Sequence, residues 1–177
     1  MGADKAVVID DPDLKGSDAL TTAKILAAAI DNEGYDLVIA GTESTDGYTG
    51  VVPQQIAEIL GVPSLTFARK VEIIGANVVI ERQTATGYEV VEAALPALVA
   101  VTAGVVEPRY PTFKGIMQAK QKPVDTHTAE ALGVANTPQQ TITAVEPVPA
   151  REAGEIHVDE GEGHLKIVEM LETAKVV

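Results

Sequence analysis

A polar loop between two apolar runs carries the residues of this chain that are best suited to binding a small ligand. Leu37 to Ala40 form a short apolar run, and residues 41–51 are rich in glycine and hydroxyl side chains. Apolar residues then return at helical spacing, at Val52, Ile56, Ile59 and Leu60. This order predicts a strand, a loop and a helix with Pro53 in its first turn, where proline is tolerated. Thr49 or Gly50 is then the predicted N-cap.

The predicted loop has the chemistry of an anion site. Free amides of Gly50, Val51 and Val52, with the Thr49 hydroxyl beside them, would face the carboxyl end of the strand, where the helix dipole stabilises an anion. The loop has no lysine or arginine and neither of the common glycine-rich nucleotide motifs. A phosphate would therefore be held by backbone dipoles, which suits a monophosphate better than a triphosphate with its metal. The same order of elements also occurs in α/β domains whose loop binds nothing, so an empty loop is the alternative.

The composition excludes several other kinds of site. The chain has 177 residues, is 46% hydrophobic, carries a net charge of −13 at pH 7 and contains no cysteine. The charge argues against a nucleic-acid surface, and the lack of cysteine excludes disulfides, thiolate catalysis and iron–sulfur clusters. The three histidines are far apart, so no metal site is expected at His127, His157 or His164. Without a long apolar run or a signal-peptide pattern, the sequence predicts a soluble, cytoplasmic protein with no membrane insertion.

The segments around the loop predict an α/β fold. Lys5 to Asp10 is typical of a strand buried on both faces, and Ser17 is the predicted cap of a helix that ends near Glu33. Strands that alternate with helices predict a parallel sheet with right-handed crossovers. Three segments rich in β-branched residues, at 66–74, 77–84 and 88–95, then predict an antiparallel meander. A further apolar run at 96–102 predicts a strand that returns to the main sheet.

A cationic loop with aromatic residues interrupts this acidic chain. Between Glu107 and Asp125 the sequence has no acid, and its four basic residues are Arg109, Lys114, Lys120 and Lys122. Tyr110, Phe113 and Met117 lie among them. This stretch is either a crossover loop with solvated lysines or a contact surface for a partner.

The C-terminal part differs in composition from the rest. Residues 150–163 are acidic, which predicts an exposed link. Apolar residues repeat within 164–174 and predict an amphipathic helix that needs a surface on which to dock. The sequence therefore divides into a nucleotide-binding α/β domain over 1–149 and an extension over 150–177.

Several motifs together resemble the β subunits of electron transfer flavoprotein. They include Asp-Leu-Val-Ile-Ala-Gly at 36–41, the loop at 46–53, Gly-Val-Pro-Ser-Leu-Thr-Phe at 61–67 and Leu-Pro-Ala-Leu-Val at 95–99. The most specific combination is Glu-Pro-Arg-Tyr at 107–110 followed by Ile-Met-Gln-Ala-Lys at 116–120. The resemblance extends over essentially the whole chain.

This resemblance implies a fold and two cofactors. The fold is a Rossmann-like parallel sheet of the adenine nucleotide alpha hydrolase type, with the meander added. The family forms a heterodimer with an α subunit that holds most of an FAD, while the β subunit buries an AMP in a structural role. By position, the AMP phosphate loop falls at Asp46, Thr49, Gly50, Val51 and Val52. The resemblance implies an electron carrier with no catalytic residue and no metal.

The resemblance also implies partners. In the family, the heterodimer carries electrons from soluble dehydrogenases, such as the acyl-CoA dehydrogenases of fatty acid oxidation, to a membrane quinone oxidoreductase. The stretch 108–122 matches the loop that docks on dehydrogenases, with candidate contacts at Arg109, Tyr110, Phe113, Lys114, Ile116 and Met117. The family usually has leucine and proline where this chain has Phe113 and Lys114, so the choice of dehydrogenase stays open. The helix at 164–174 is expected to dock on the α subunit.

One departure from the family and one alternative function accompany this interpretation. Met-Gly-Ala-Asp at 1–4 lies well inside family chains, after a strand–helix repeat, so residue 1 is expected to be an internal methionine of a longer protein or a mis-assigned start. The strands at Lys5 and Leu37 would then not be neighbours. The alternative is a small AMP- or ATP-binding regulatory domain of the universal-stress type, which predicts exchangeable nucleotide, self-association and no flavin partner. The meander and the Glu-Pro-Arg-Tyr motif favour the flavoprotein.

Overall fold

The computed structural model describes residues 1–151, 154 and 156–176, which divide into two compact units, Met1–Thr143 and Ala144–Val177. The first unit contains β1 (Ala6–Ile9), α1 (Ala19–Glu33), β2 (Leu37–Gly41), α2 (Val52–Leu60), β3 (Ser64–Ile74), β4 (Asn77–Gln83), β5 (Tyr88–Ala94), β6 (Ala97–Val101), α3 (Phe113–Ala119) and β7 (Val124–His127). The second unit contains α4 (Gly163–Thr173).

The main sheet combines parallel and antiparallel strands. Its order is β2-β6-β3-β4-β5, in which β6 is parallel to both β2 and β3, while β3, β4 and β5 form an antiparallel meander. The predicted α/β fold, with a meander and a returning strand, is therefore confirmed. A separate two-stranded sheet pairs β1 with β7 in parallel, so β1 and β2 are not neighbours. No pattern in the sequence predicted β7.

The prediction that β1 is buried on both faces was wrong. Val8 is 41% exposed, because β1 lies in a sheet of only two strands. In β2, Val38 packs against α1 and α2, whereas Ile39 points to the opposite face and is 61% exposed. The apolar runs thus predicted both strands correctly, but they did not predict how far each strand is buried.

The two helices that flank the loop pack against each other over the sheet. Their common core consists of Ala23, Ala27, Ile56, Ala57 and Leu98, all nearly fully buried. Alanines on the contact face let the helices approach closely, and Leu98 fills the space between them and β6. This packing fixes the N-termini of α1 and α2 at the same edge of the sheet as the end of β2.

A bulge in β3 lets one strand take part in two kinds of pairing. The register shifts between Leu65 and Ala68 against β6, and again between Ala68 and Lys70 against β4. Phe67 has a φ of 54°, which is unusual for a large side chain, and it is 45% exposed. The bulge therefore redirects β3 from its parallel neighbour to its antiparallel one.

Candidate functional site

A cavity of about 970 Å³ lies where the carboxyl end of β2 meets the N-termini of α1 and α2. Its volume is within the range of small-molecule sites. Residues 140–142 form a further wall. In sheets with parallel strands, the crevice outside the carboxyl ends of the strands is the usual position for a ligand.

The loop between β2 and α2 is anchored to the sheet at its start. The Thr42 hydroxyl and amide both donate to the carbonyl oxygen of Val101, at 2.9 and 3.1 Å. Of the five residues predicted for a phosphate loop, the structure brings four to the cavity: Asp46, Thr49, Gly50 and Val52. Val51 does not line it.

The predicted N-cap of α2 was wrong. The cap is Val51, which has no capping side chain, so neither Thr49 nor Gly50 caps the helix. Gly50 has a φ of 64°, in the left-handed region, and the helix can begin only after the chain has left that conformation. In the described part of the chain, the Thr49 hydroxyl has no hydrogen-bond partner, so it is available to a ligand.

The first turn of α2 offers few but free donors. Pro53 has no amide hydrogen, and the first backbone bond of the helix runs from the Gln55 amide to the Val51 oxygen. The amides of Val52 and Gln54 have no acceptor within the described residues and point toward the N-terminal end of the helix. With the helix dipole, these amides can stabilise one anionic group.

Asp46 is held in its ionised form by the loop. Its carboxylate accepts a hydrogen bond from the Gly47 amide at 2.8 Å. A hydrogen bond with the Ser44 side chain and this amide bond hold the pKa of Asp46 below its usual value. Asp46 is therefore a negatively charged acceptor at neutral pH.

Asp18 links two distant parts of the cavity wall, and sequence reasoning missed it. Its Oδ1 accepts from the Thr21 amide at 2.8 Å, so Asp18 caps α1 in place of the predicted Ser17. Its Oδ2 accepts from the amides of Gln139 at 2.5 Å and Gln140 at 3.1 Å. The pKa of Asp18 is lowered to about 2, mainly by its hydrogen bonds with Thr21 and further by those from the amides of Gln139 and Gln140. An aspartate before a helix could have been recognised as a cap, but no sequence signal marks its contact with residues so far along the chain.

The six residues predicted for partner contact all fall within or just before α3, and none of them lines the cavity. Arg109 and Tyr110 precede α3, and Phe113, Lys114, Ile116 and Met117 belong to it. Thr112 caps this helix, since its hydroxyl accepts from the Gly115 amide at 3.1 Å. Tyr110 and Phe113 are 87% and 81% exposed. Within the part of the chain that the structure describes, Arg109 and Lys114 form no ion pair.

In the second unit, the predicted amphipathic helix is confirmed as α4. Its apolar side chains are all at least one-third exposed, at Leu165, Ile167, Val168, Met170 and Leu171. The preceding acidic link falls partly outside the described residues.

In the described ranges, no three His, Cys, Asp or Glu side chains are grouped so that they could hold a metal ion. No helix among the described residues is long and apolar enough to cross a membrane.

Comparison with known proteins gives one consistent family. Residues 1–132 match the electron transfer flavoprotein domain. Electron transfer flavoprotein subunit beta of Mycobacterium bovis is 47% identical, over 100% of this chain and 69% of the relative. The subunit beta of Thermoanaerobacterium thermosaccharolyticum is 39% identical, over 88% of this chain and 63% of the relative.

A third relative has a more specific name. The protein called caffeyl-CoA reductase-Etf complex subunit CarD, from Acetobacterium woodii, is 35% identical over 88% of this chain and 62% of the relative. The family domain covers most of the chain, and proteins named as β subunits match all of it. The chain therefore belongs to the electron transfer flavoprotein β-subunit family, whose members are flavoproteins of electron transport.

Proposed function

We propose that this chain is an electron-carrier subunit that pairs with an α subunit and binds AMP in the cavity beside β2. The observation that carries the AMP site is a pair of donors that line one corner of this cavity, the Val52 amide and the Thr49 hydroxyl, which have no partner among the described residues. The Gln54 amide, equally without an acceptor there, belongs to the same first turn of α2. These donors suit a single phosphate group. The AMP would have a structural role, as a rigid filler between α1, α2 and the loop.

The remaining walls fit the other parts of a nucleotide. Asp46 and Asp18 are ionised acceptors, which suits ribose hydroxyls. Leu26, Ile56 and Ile142 supply apolar surface on which an adenine base can pack. The chain's own residues thus bind and orient the nucleotide, and none of them is proposed as a nucleophile or general base.

The redox chemistry of the heterodimer would come from FAD, held mostly by the α subunit. We propose that α4 docks on that subunit, because its apolar side chains are largely exposed. Burial of this apolar surface against a partner is favourable.

We propose the surface at 109–117 as the contact for dehydrogenase partners. Exposed aromatic side chains beside unpaired cations are typical anchors of transient interfaces. The relative named as part of a caffeyl-CoA reductase complex supports a dehydrogenase- or reductase-type partner. We further propose that the electrons pass to a membrane quinone oxidoreductase, and that the subunit itself works in the cytoplasm.

Co-expression with an α subunit from the same source tests this function. The product is separated by size exclusion, its absorption spectrum is recorded, and the nucleotides released by acid are identified. A yellow heterodimer that releases FAD and AMP is the expected result. A colourless, self-associated chain that exchanges ATP would contradict the proposal and favour a regulatory nucleotide-binding domain.

A further inference from the structure

The carboxylate of Glu43 lies beside the part of the cavity where an anion would bind. Its Oε2 is 3.3 Å from the position that a Cβ on Gly50 would occupy. Gly50 comes just before the first turn of α2, which presents the free amides of Val52 and Gln54. Glu43 therefore places a negative charge next to the donors that would hold a phosphate.

Glu43 differs from the other two carboxylates that line the cavity. The carboxylates of Asp18 and Asp46 accept hydrogen bonds from backbone amides. Among the described residues, the Glu43 carboxylate has no hydrogen bond and no ion pair. The described lining includes no lysine or arginine to balance it. Its charge therefore acts directly on whatever enters the cavity.

We infer that Glu43 limits the charge of the ligand, so that the cavity accepts a nucleoside monophosphate and rejects nucleoside di- and triphosphates. The inference rests on the proposed nucleotide site and adds its specificity. A single phosphate can be balanced by the amides of α2. Each further phosphate adds negative charge near Glu43 without adding a protein cation, and the repulsion is expected to cost about tenfold in affinity per phosphate at a separation of about 5 Å.

The test compares the dissociation constants of AMP, ADP and ATP for the full chain, in the assembly in which it purifies. Bound nucleotide is removed first, and equilibrium dialysis is done with a chelator so that no magnesium neutralises the phosphates. The variants are Glu43→Gln, which removes the charge, and Glu43→Asp, which keeps it. Glu58→Gln is the matched control, because Glu58 is an exposed residue of α2 outside the cavity.

At about tenfold per additional phosphate, the wild-type chain is expected to bind AMP about tenfold more tightly than ADP and about 100-fold more tightly than ATP. Glu43→Gln removes the charge that repels both additional phosphates and is expected to reduce the AMP-to-ATP ratio by about 100-fold, whereas Glu43→Asp and Glu58→Gln retain it. High salt should also reduce the wild-type ratio, since it screens exposed charges.

Two results would overturn the inference, and they differ. If AMP binds and the ratio is the same in Glu43→Gln as in wild type, Glu43 does not set the charge limit, while the nucleotide site stands. If AMP does not bind the wild-type chain, both the proposed nucleotide site and the role of Glu43 are wrong.

Discussion

The carboxylate of Asp18 accepts a hydrogen bond from the backbone amide of Gln139, at 2.5 Å across 121 residues of sequence. The same carboxylate caps α1 through the Thr21 amide. One side chain therefore holds both the start of a helix and the beginning of the segment 140–142 that forms a wall of the cavity.

The hydrogen bonds of Asp18 predict that the stability of the folded chain depends on pH. These hydrogen bonds lower the pKa of Asp18 from the ordinary 3.8 to about 2, so the ionised form stabilises the folded chain. The stabilisation is fully present above about pH 4 and is lost as the pH falls toward about 2. Asp18→Asn should still cap α1 in large part, but its stability should fall less between pH 6 and pH 2 than that of the wild type. The midpoint of thermal unfolding, recorded from pH 2 to pH 6, measures this difference.

A control for the Asp18 experiment lies on the same helix. Asp31→Asn changes the same charge at the other end of α1, where the side chain makes no hydrogen bond among the described residues. The acid dependence of this variant should match that of the wild type. If the acid dependence of Asp18→Asn also matches that of the wild type, the hydrogen bonds of the Asp18 carboxylate do not contribute to stability.

Removal of the Thr49 hydroxyl should weaken AMP binding. Thr49→Val takes away one donor to a charged group, which is worth on the order of 1–3 kcal/mol. AMP content after purification and the dissociation constant of AMP are the measurements. Thr45→Val is the matched control, since Thr45 belongs to the same loop but does not line the cavity. Equal AMP affinity in Thr49→Val and wild type would exclude Thr49 from the site.

Truncation of Phe113 should weaken the contact with a dehydrogenase. This side chain is 81% exposed, and a central aromatic anchor typically contributes 2 kcal/mol or more, which is roughly 30-fold in affinity. Phe113→Ala should therefore raise the KM for electron transfer from the dehydrogenase while the flavin content of the heterodimer stays the same. Ile74→Ala serves as control, because Ile74 is also exposed but lies at the end of β3, outside the stretch 108–122. Unchanged kinetics in Phe113→Ala would remove this residue from the interface.

The packing of Leu98 should dominate the stability of the first unit. The side chain is fully buried between β6 and the two helices. Leu98→Ala is expected to lower the free energy of unfolding by about 2–5 kcal/mol, because it leaves a cavity. Denaturant unfolding measures the change, with Val90→Ala at a 68% exposed position as control. If Leu98→Ala lowers the free energy of unfolding no more than Val90→Ala does, the packing of the helices on β6 does not depend on the Leu98 side chain.

The order of elements could be predicted from the sequence because it depends on local patterns. Alternating β-branched residues and the turns at Gly75 and Gly87 are sufficient to predict the meander. The helix starts were harder, because neighbouring residues compete for each cap: Ser17 with Asp18, and Thr49 and Gly50 with Val51.

What the sequence did not predict depends on contacts far apart in the chain. Strand β7 is four residues long, and its partner β1 is more than a hundred residues earlier. The exposure of Ile39 follows from which face of β2 the helices cover, and no local pattern determines it. Four of the five residues predicted for the phosphate loop line the cavity, and they could be predicted because they lie close together in one loop, whereas the wall formed by residues 140–142 was not predicted.

The bulge at Phe67 constrains how this chain can change in length. It takes up the offset between the parallel ladder with β6 and the antiparallel ladder with β4. Deletion of one residue from 66–69 would turn Val71, which packs on the meander core, toward the opposite face. Insertions and deletions should therefore be tolerated at the tips of the meander, at 75–76 and 85–87, and selected against within β3.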